Sequence, residues 1–507
     1  MATRSWADAV GHFERALPAA VDERGEVLLL LARARLRAGR VEQAWEDCTA
    51  VADLARATGD TTLLADAALV VGDVGPSPLV DRVHLLCVEA LARLGDRDPQ
   101  RAAKLRARRD ATRSPWTRPT PGLATGGDPD ARFLALEAEH TAHVHVDHID
   151  RRLALADEAL ALGHACGSGQ YTATGLMWRI EALGQLGRRA ELTAEVAALA
   201  AAVSELREPL WTSRLALVRA GQLLVDGRFA ECRALSAAEP GYMGLVMASH
   251  LAVLTGEELD QVEPRVRAAL DDAPYFARGW HALLLAAQSR ADEAATLWRA
   301  VAPLVRELPR DSPEWLIGTV GNARLAAHLG DVDTAAVLYE LLAPYAHLRA
   351  VGGGDSPDYG PVALYLGPLS ALLGDTERAR TELTAALRAA EGEHALPAAA
   401  LAHLALARLP GAPWVHAATA ARLGSQLGMT PVVTDAARLR RDGPLSRREN
   451  EVAALVAEGL SNRAIAGRLH LSERTVENHV SHVMRKTGQP TRVGVAGWYL
   501  GSAGAKP

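Results

Sequence analysis

The sequence predicts an all-α protein in two parts, a solenoid of repeated helical pairs followed by a compact four-helix module. Three observations carry that prediction. Ala, Leu and Arg dominate a 507-residue chain in which aromatics make up 4%, a composition that favours helices. A glycine-centred turn recurs through the first 440 residues. The last 65 or so residues carry helix-start and helix-stop signals in close succession.

The repeated turns are Ala38-Gly39-Arg40, Leu94-Gly95-Asp96, Leu186-Gly187-Arg188, Asp226-Gly227-Arg228, Leu329-Gly330-Asp331 and Leu373-Gly374-Asp375. Each separates an amphipathic Ala/Leu-rich stretch from a second one. Glycine closes the first helix because it accepts a left-handed conformation, and small alanines let the paired helices approach closely. Gly187 to Gly227 spans 40 residues and Gly330 to Gly374 spans 44, near the period of helical-pair solenoids and longer than the tetratricopeptide consensus. A degenerate unit is expected around Ser289-Arg290. Residues 113–130, RSPWTRPTPGLATGGDPD, hold four prolines and three glycines and read as a linker. The expected organisation is therefore an N-terminal helical region over 1–112, a linker over 113–130, a tetratricopeptide-like array over 131–440 and a terminal module over 441–507.

Charge separates the last part from the rest. Residues 438–507 hold twelve Lys/Arg against six Asp/Glu, a balance of +6 in a chain whose net charge is −6, so the remainder carries −12. A basic module on an acidic body points to a polyanionic partner for the module alone. Cys48, Cys87, Cys166 and Cys232 are far apart and form no C-x-x-C pair, which suggests neither a disulfide framework nor a zinc site. With no signal-like N-terminus and no bilayer-length apolar run, a cytoplasmic protein is expected.

Within the module, Asp442-Gly443-Pro444 breaks the preceding helix. Ser446 with Glu449 forms a capping box that opens a first helix with Val452, Leu455 and Val456 inward, ended by Gly459. Ser461 caps a short second helix carrying Ile465, Ala466 and Leu469. After a turn at His470-Leu471, Ser472 caps a third helix whose buried stripe is Val476, Val480, Val483 and Met484, ended by Gly488. The opposite stripe, Arg474, Glu477, Asn478, Ser481, His482 and Arg485, is a hydrogen-bonding set on a helix about 23 Å long. Such a helix fits the major groove of double-stranded DNA. A fourth helix is expected from Thr491 to about Leu500.

The module resembles the LuxR/FixJ type of helix-turn-helix domain in Leu445-Ser446, Arg448-Glu449, Glu451-Val452, Gly459, Ser461-Asn462, Ile465-Ala466, Leu471-Ser472, Thr475-Val476 and His479-Val480. The resemblance implies a transcription regulator whose helix 472–487 enters the major groove. It also implies a homodimer on paired half-sites near a promoter, with RNA polymerase as a partner. The expected DNA-binding residues are Ser461, Arg463, Ser472, Arg474, Thr475, Glu477, Asn478, Ser481, His482, Arg485 and Lys486. Of these, Asn478, Glu477 and Ser481 are assigned to bases, and Arg463, Thr475, Arg485 and Lys486 to phosphates. The sequence departs from the family at Thr487, usually Leu, and at Glu477, often Lys. Glu477 would accept from a cytosine amino group.

The body resembles the repeat region of large ATP-binding regulators of the same type in Leu329-Gly330-Asp331, Leu338-Tyr339-Glu340-Leu341-Leu342, Pro344-Tyr345, Val351-Gly352-Gly353-Gly354, Gly360-Pro361-Val362-Ala363 and Tyr365-Leu366-Gly367. Those relatives carry an ATPase domain ahead of the array. Here no G-x-x-x-x-G-K-[ST] occurs, and Gly352–Gly354 leads to Asp355-Ser356-Pro357; it reads as a turn, and no cofactor is expected. The array is expected to receive a protein or small-molecule effector. Alternatives are an interaction scaffold and a regulator whose ATPase lies on another chain.

Two further clusters read as structural. His140, His143, His145 and His148, with Asp147 and Asp150, spread around more than half of an ideal helix, so no metal is expected there. The basic run Arg101, Lys104, Arg106, Arg108, Arg109 and Arg113 reads as a solvated helix face. No nucleophile-base or paired-carboxylate constellation stands out, and an enzyme is not expected.

Overall fold

A computed structural model describes residues 5–72, 79–112, 128–237, 241–271, 277–410, 412, 415–441 and 445–503. These residues form a chain of α-helices and short 3-10 turns, with one two-stranded ribbon.

The glycine turns fall where the pattern places them. Gly39, Gly95, Gly187, Gly227, Gly330 and Gly374 all have positive φ, and Ser289 (φ 63°) takes the same left-handed conformation in the degenerate unit. Each turn joins an antiparallel pair, such as Arg24–Arg37 with Val41–Thr58, Trp315–Leu329 with Val332–Leu342, and Ala363–Leu372 with Thr376–Gly392. Alanine at the contact lets the axes close up: Ala323, Ala326, Ala335, Ala379 and Ala400 are fully enclosed in the array's core.

The N-terminal helices, Trp6–Ala16 to Pro99–Ala111, hold a core of their own around Ala52, Leu64, Val83, Cys87 and Leu105. Residues 113–127 of the expected linker lie outside the described residues. Asp128 caps the helix Pro129–Ala142, which begins inside that stretch. The two sides are fastened by charge. Arg108 Nη1 donates to Glu137 at 2.8 Å in a buried pair, and Lys104 Nζ lies 2.7 Å from Asp128. The basic run is thus not a solvated face. Arg101 pairs with Asp66 and Asp98, and Arg109 with Asp110; only Arg106 faces solvent among its described members. Asp66, Asp128 and Glu137, distant in sequence, together with the local Asp98 and Asp110, absorb these cations.

The histidines disperse to separate partners. His140 is buried and stacks on Trp178 at 4.2 Å, where burial holds its ring neutral. His145 packs against Trp315 and Tyr345, and His143 lies edge-on to His148. Among the described residues no group of three or more His, Cys, Asp or Glu is arranged to hold a metal ion. No described helix is long and apolar enough to cross a membrane.

The ribbon is the one strand element among the described residues, and helical periodicity gives no sign of it. Strands Arg349–Val351 and Asp358–Pro361 pair antiparallel, Arg349 opposite Pro361 and Val351 opposite Asp358. The glycine run forms the turn between them, with Gly354 at φ 67°.

Candidate nucleic-acid interface

The C-terminal module is built on a core separate from the array's. Leu445, Val452, Leu455, Val456, Ile465, Val476, Val480, Val483 and Val495 enclose it, with Leu469 and Met484 at its edge. The four helices are Arg447–Ala457, Asn462–Leu469, Glu473–Thr487 and Arg492–Ala503. The helix break expected at 442–444 lies outside the described residues.

Capping fixes where each helix starts. Ser446 Oγ accepts from the Glu449 N–H while the Glu449 carboxylate accepts from the Ser446 N–H at 2.7 Å. Ser461 Oγ accepts from Ala464 N–H at 3.2 Å and Ser472 Oγ from Thr475 N–H at 3.1 Å. The turn between the second and third helices is closed by His470 in the left-handed conformation (φ 53°), and Gly488 ends the third helix at φ 68°. Of the serines expected at the interface, Ser461 and Ser472 are therefore engaged as caps, while Ser481 lies exposed in mid-helix. Each cap holds a helix N-terminus in place.

Three cations lock the helices together, through contacts that residue spacing does not reveal. Arg448 donates to the Leu469 carbonyl at the end of the second helix at 2.6 Å. Arg492, on the fourth, donates to the Leu460 carbonyl and to Asn462 Oδ1. Lys486 Nζ reaches back 2.7 Å to Glu449 Oε2. Burial alone would raise the Glu449 carboxyl, but the Lys486 ammonium and the Ser446 N–H and hydroxyl hold it down, at about 2. His482 Nδ1 lies 3.9 Å from the same carboxylate. Lys486, assigned from sequence to a DNA phosphate, thus has an intramolecular partner and ties the C-terminal turn of the third helix to the first. The capping box announced Glu449's local role. Its partner 37 residues on could not be read from spacing.

What remains on the outward face of Glu473–Thr487 is a polar stripe. Arg474, Glu477, Asn478, Ser481, His482 and Arg485 are all exposed, recurring at i, i+3, i+4, i+7, i+8 and i+11. Apart from the His482 approach to Glu449, these side chains make no hydrogen bond or ion pair with the described residues, and neither does exposed Arg463 on the second helix. Thr475 is half-buried and exchanges a hydroxyl contact with Ser472 at 2.7 Å. Thr487 is 2% exposed and satisfies its hydroxyl on the Val483 carbonyl at 2.7 Å, which is how a polar residue fits this core position. The capped helices thus present a line of donors and acceptors that, His482 aside, have no partner among the described residues.

Residues 443–498 match the family described as bacterial regulatory proteins, luxR family, and the C-terminal module is a domain of that family. The nitrate/nitrite response regulator protein NarL of Escherichia coli is 34% identical over 90 residues, 17% of this chain and 42% of that protein. The transcriptional regulatory protein DegU of Brevibacillus brevis is 52% identical over 42 residues, 8% of this chain and 18% of DegU. The protein Rv0890c of Mycobacterium tuberculosis is 53% identical over 51 residues, 10% of this chain and 6% of its own length. The chain thus spans less than half of each of these relatives. Among solved structures, the chain is similar to the APC/C hetero-tetramer Cut9–Hcn1 with a TM-score of 0.37 and 14% identity, over 98% of this chain and 93% of that one.

Proposed function

We propose that the chain is a sequence-specific DNA-binding transcription regulator that inserts the helix Glu473–Thr487 into the major groove. The observation that carries this reading is the exposed, unpaired polar stripe on that helix, within a luxR-family module of net positive charge. In the run 101–109, Arg101, Lys104, Arg108 and Arg109 are paired with carboxylates. Arg463, Arg474 and Arg485 are left open, which is the condition for capturing phosphate.

In this reading Asn478, Glu477 and Ser481 meet base edges. Asparagine can pair with adenine N6 and N7, and a glutamate accepts from cytosine N4. Arg463, Arg474, Arg485 and Thr475 meet phosphates, which set register without carrying sequence information. Ser461 and Ser472 act through the helix ends they cap, and Lys486 through the orientation it gives the helix. The helical array is the input region, receiving a protein or small-molecule effector, and the regulator acts as a homodimer on paired half-sites where RNA polymerase binds.

Binding-site selection with the full chain, followed by titration of Asn478→Ala and Arg485→Ala, tests the proposal. Asn478→Ala changes preference at one base position. Arg485→Ala weakens all sequences alike and lowers the salt slope by about 1. If Asn478→Ala weakens every sequence equally, the asparagine does not read a base.

A further inference from the structure

A solenoid whose repeats touch only their sequence neighbours has no contacts across hundreds of residues. This array has them. Arg189 Nη1 donates to the Glu393 carbonyl at 3.0 Å across 204 positions, Tyr345 Oη to Asp147 at 2.7 Å across 198, and the Gly354 N–H to Glu181 at 2.7 Å across 173. The turn at Gly227 lies against Leu427 and Pro397, and the turn at Gly256 against Pro431. The superhelix is folded back so that the repeats between Ile149 and Ser236 close onto the ribbon and the repeats that follow it.

The chemistry at the centre of that seam differs from the apolar packing within each pair. Arg349, on the first strand, is 5% exposed. It donates through Nε and Nη2 to Asp358 Oδ2 at 2.9 and 2.7 Å, and its third nitrogen bonds Glu393. Arg189, from the opposing repeats, bonds both the Glu393 carbonyl and Asp226. The approach is close: a Cβ on Gly187 would stand 2.8 Å from Glu393 Oε1. Burial pushes the Glu393 carboxyl up despite the guanidinium beside it. Two small clefts adjoin the Arg349–Asp358 pair. One is lined by Leu183, Gly187, Arg189 and Gln222, the other by Leu224, His250, Tyr359 and Leu401, and both reach Val225.

We propose that this ion network is a latch, a built-in conformational device by which the array is held closed and through which its input is transmitted. A buried ion pair gives little net stability, because desolvation offsets attraction, yet losing one partner leaves a charge stranded and is strongly unfavourable. The ion pairs therefore make the seam specific in geometry. The repeats before the ribbon hold a core of their own around Ile180, Leu199 and Trp211, while Ala182, Ala220 and Leu224 share the main core with Val362, Ala363 and Ala395, so opening parts that apolar contact together with the ion pairs. The latch rests on reading the array as the input region, and it is measured without DNA.

Hydrogen exchange of the full chain with Arg349→Met, Glu393→Gln and the exposed-pair control Arg228→Ala tests it. Arg349→Met is expected to raise exchange in residues 183–192, 222–228 and 393–401 by about a hundredfold. The N-terminal helices and the C-terminal module should change by less than twofold, and helical content should be unchanged. Glu393→Gln gives a smaller rise at the same segments and keeps the test open if Arg349→Met fails to fold. Arg228→Ala, which breaks only the surface pair with Glu231, leaves them alone. Less than a twofold rise at the seam in the folded variants would overturn the latch. So would an equal rise throughout the chain. Loss of specific DNA binding by the unaltered chain would instead overturn the functional reading and leave these exchange results standing.

Discussion

Two basic stretches of this chain behave in opposite ways. Arg101, Lys104, Arg108 and Arg109 crowd one helix, yet each is spent on an acid, the buried Arg108–Glu137 pair most completely. Arg463, Arg474 and Arg485 are spread over two helices of the terminal module and have no partner among the described residues. Density of charge therefore says little about what a segment binds. The deciding quantity is how much of that charge the fold leaves unsatisfied, and that depends on carboxylates brought in from elsewhere in the chain.

The largest effect that would break this contrast concerns Arg108. Replacing it with Met removes one partner of a buried pair, and the expected loss is about 3 kcal/mol in the stability of the N-terminal region, read by denaturant unfolding. DNA affinity of the full chain should not change. A drop in affinity with stability intact would put the basic run back among the DNA contacts.

Lys486 sharpens the contrast because it lies between the two cases. As a tether, Lys486→Met should cost the module about 1–3 kcal/mol by leaving Glu449 with one fewer donor, and should leave the salt slope of DNA binding unchanged. A phosphate contact would do the reverse, lowering the slope by about 1 with little change in stability. The same carboxylate gives the module an acid limit. Its folded pKa, about 2, lies below the ordinary glutamate value of 4.5. Its contribution is therefore complete above pH 4.5 and is lost as pH falls from there towards 2. Lys486→Met should flatten that part of an acid unfolding curve.

The smallest expected effect is that of Ser472→Ala. It removes a cap worth about 1 kcal/mol, weakens binding through fraying of the recognition helix, and should do so equally for all DNA sequences. A base-dependent effect would mean that the hydroxyl leaves its cap to read DNA.

Much of this was legible in advance, for reasons that differ by element. The helix-pair turns were visible because a left-handed residue is nearly a glycine requirement, and even the exception at Ser289 falls at the expected spacing. The module's helices were visible because their caps and core stripes are local, within four residues of each other. The ribbon was invisible: three- and four-residue strands leave no periodicity, and Arg349 reads as an ordinary charged residue until Asp358 and Glu393 are folded onto it. Several partners of the basic run, and the Glu449 partner of Lys486, were invisible for one shared reason, that they lie 24 to 37 residues away. The resemblance to known regulators located the candidate interface, and the fold determined which of its side chains are free to act.

The account stands most directly on Asn478. Sites selected from random DNA by the full chain and by Asn478→Ala should differ at one position per half-site, where discrimination worth about 1–3 kcal/mol is lost. Identical selected sequences from both proteins would contradict the claim that this helix face reads bases.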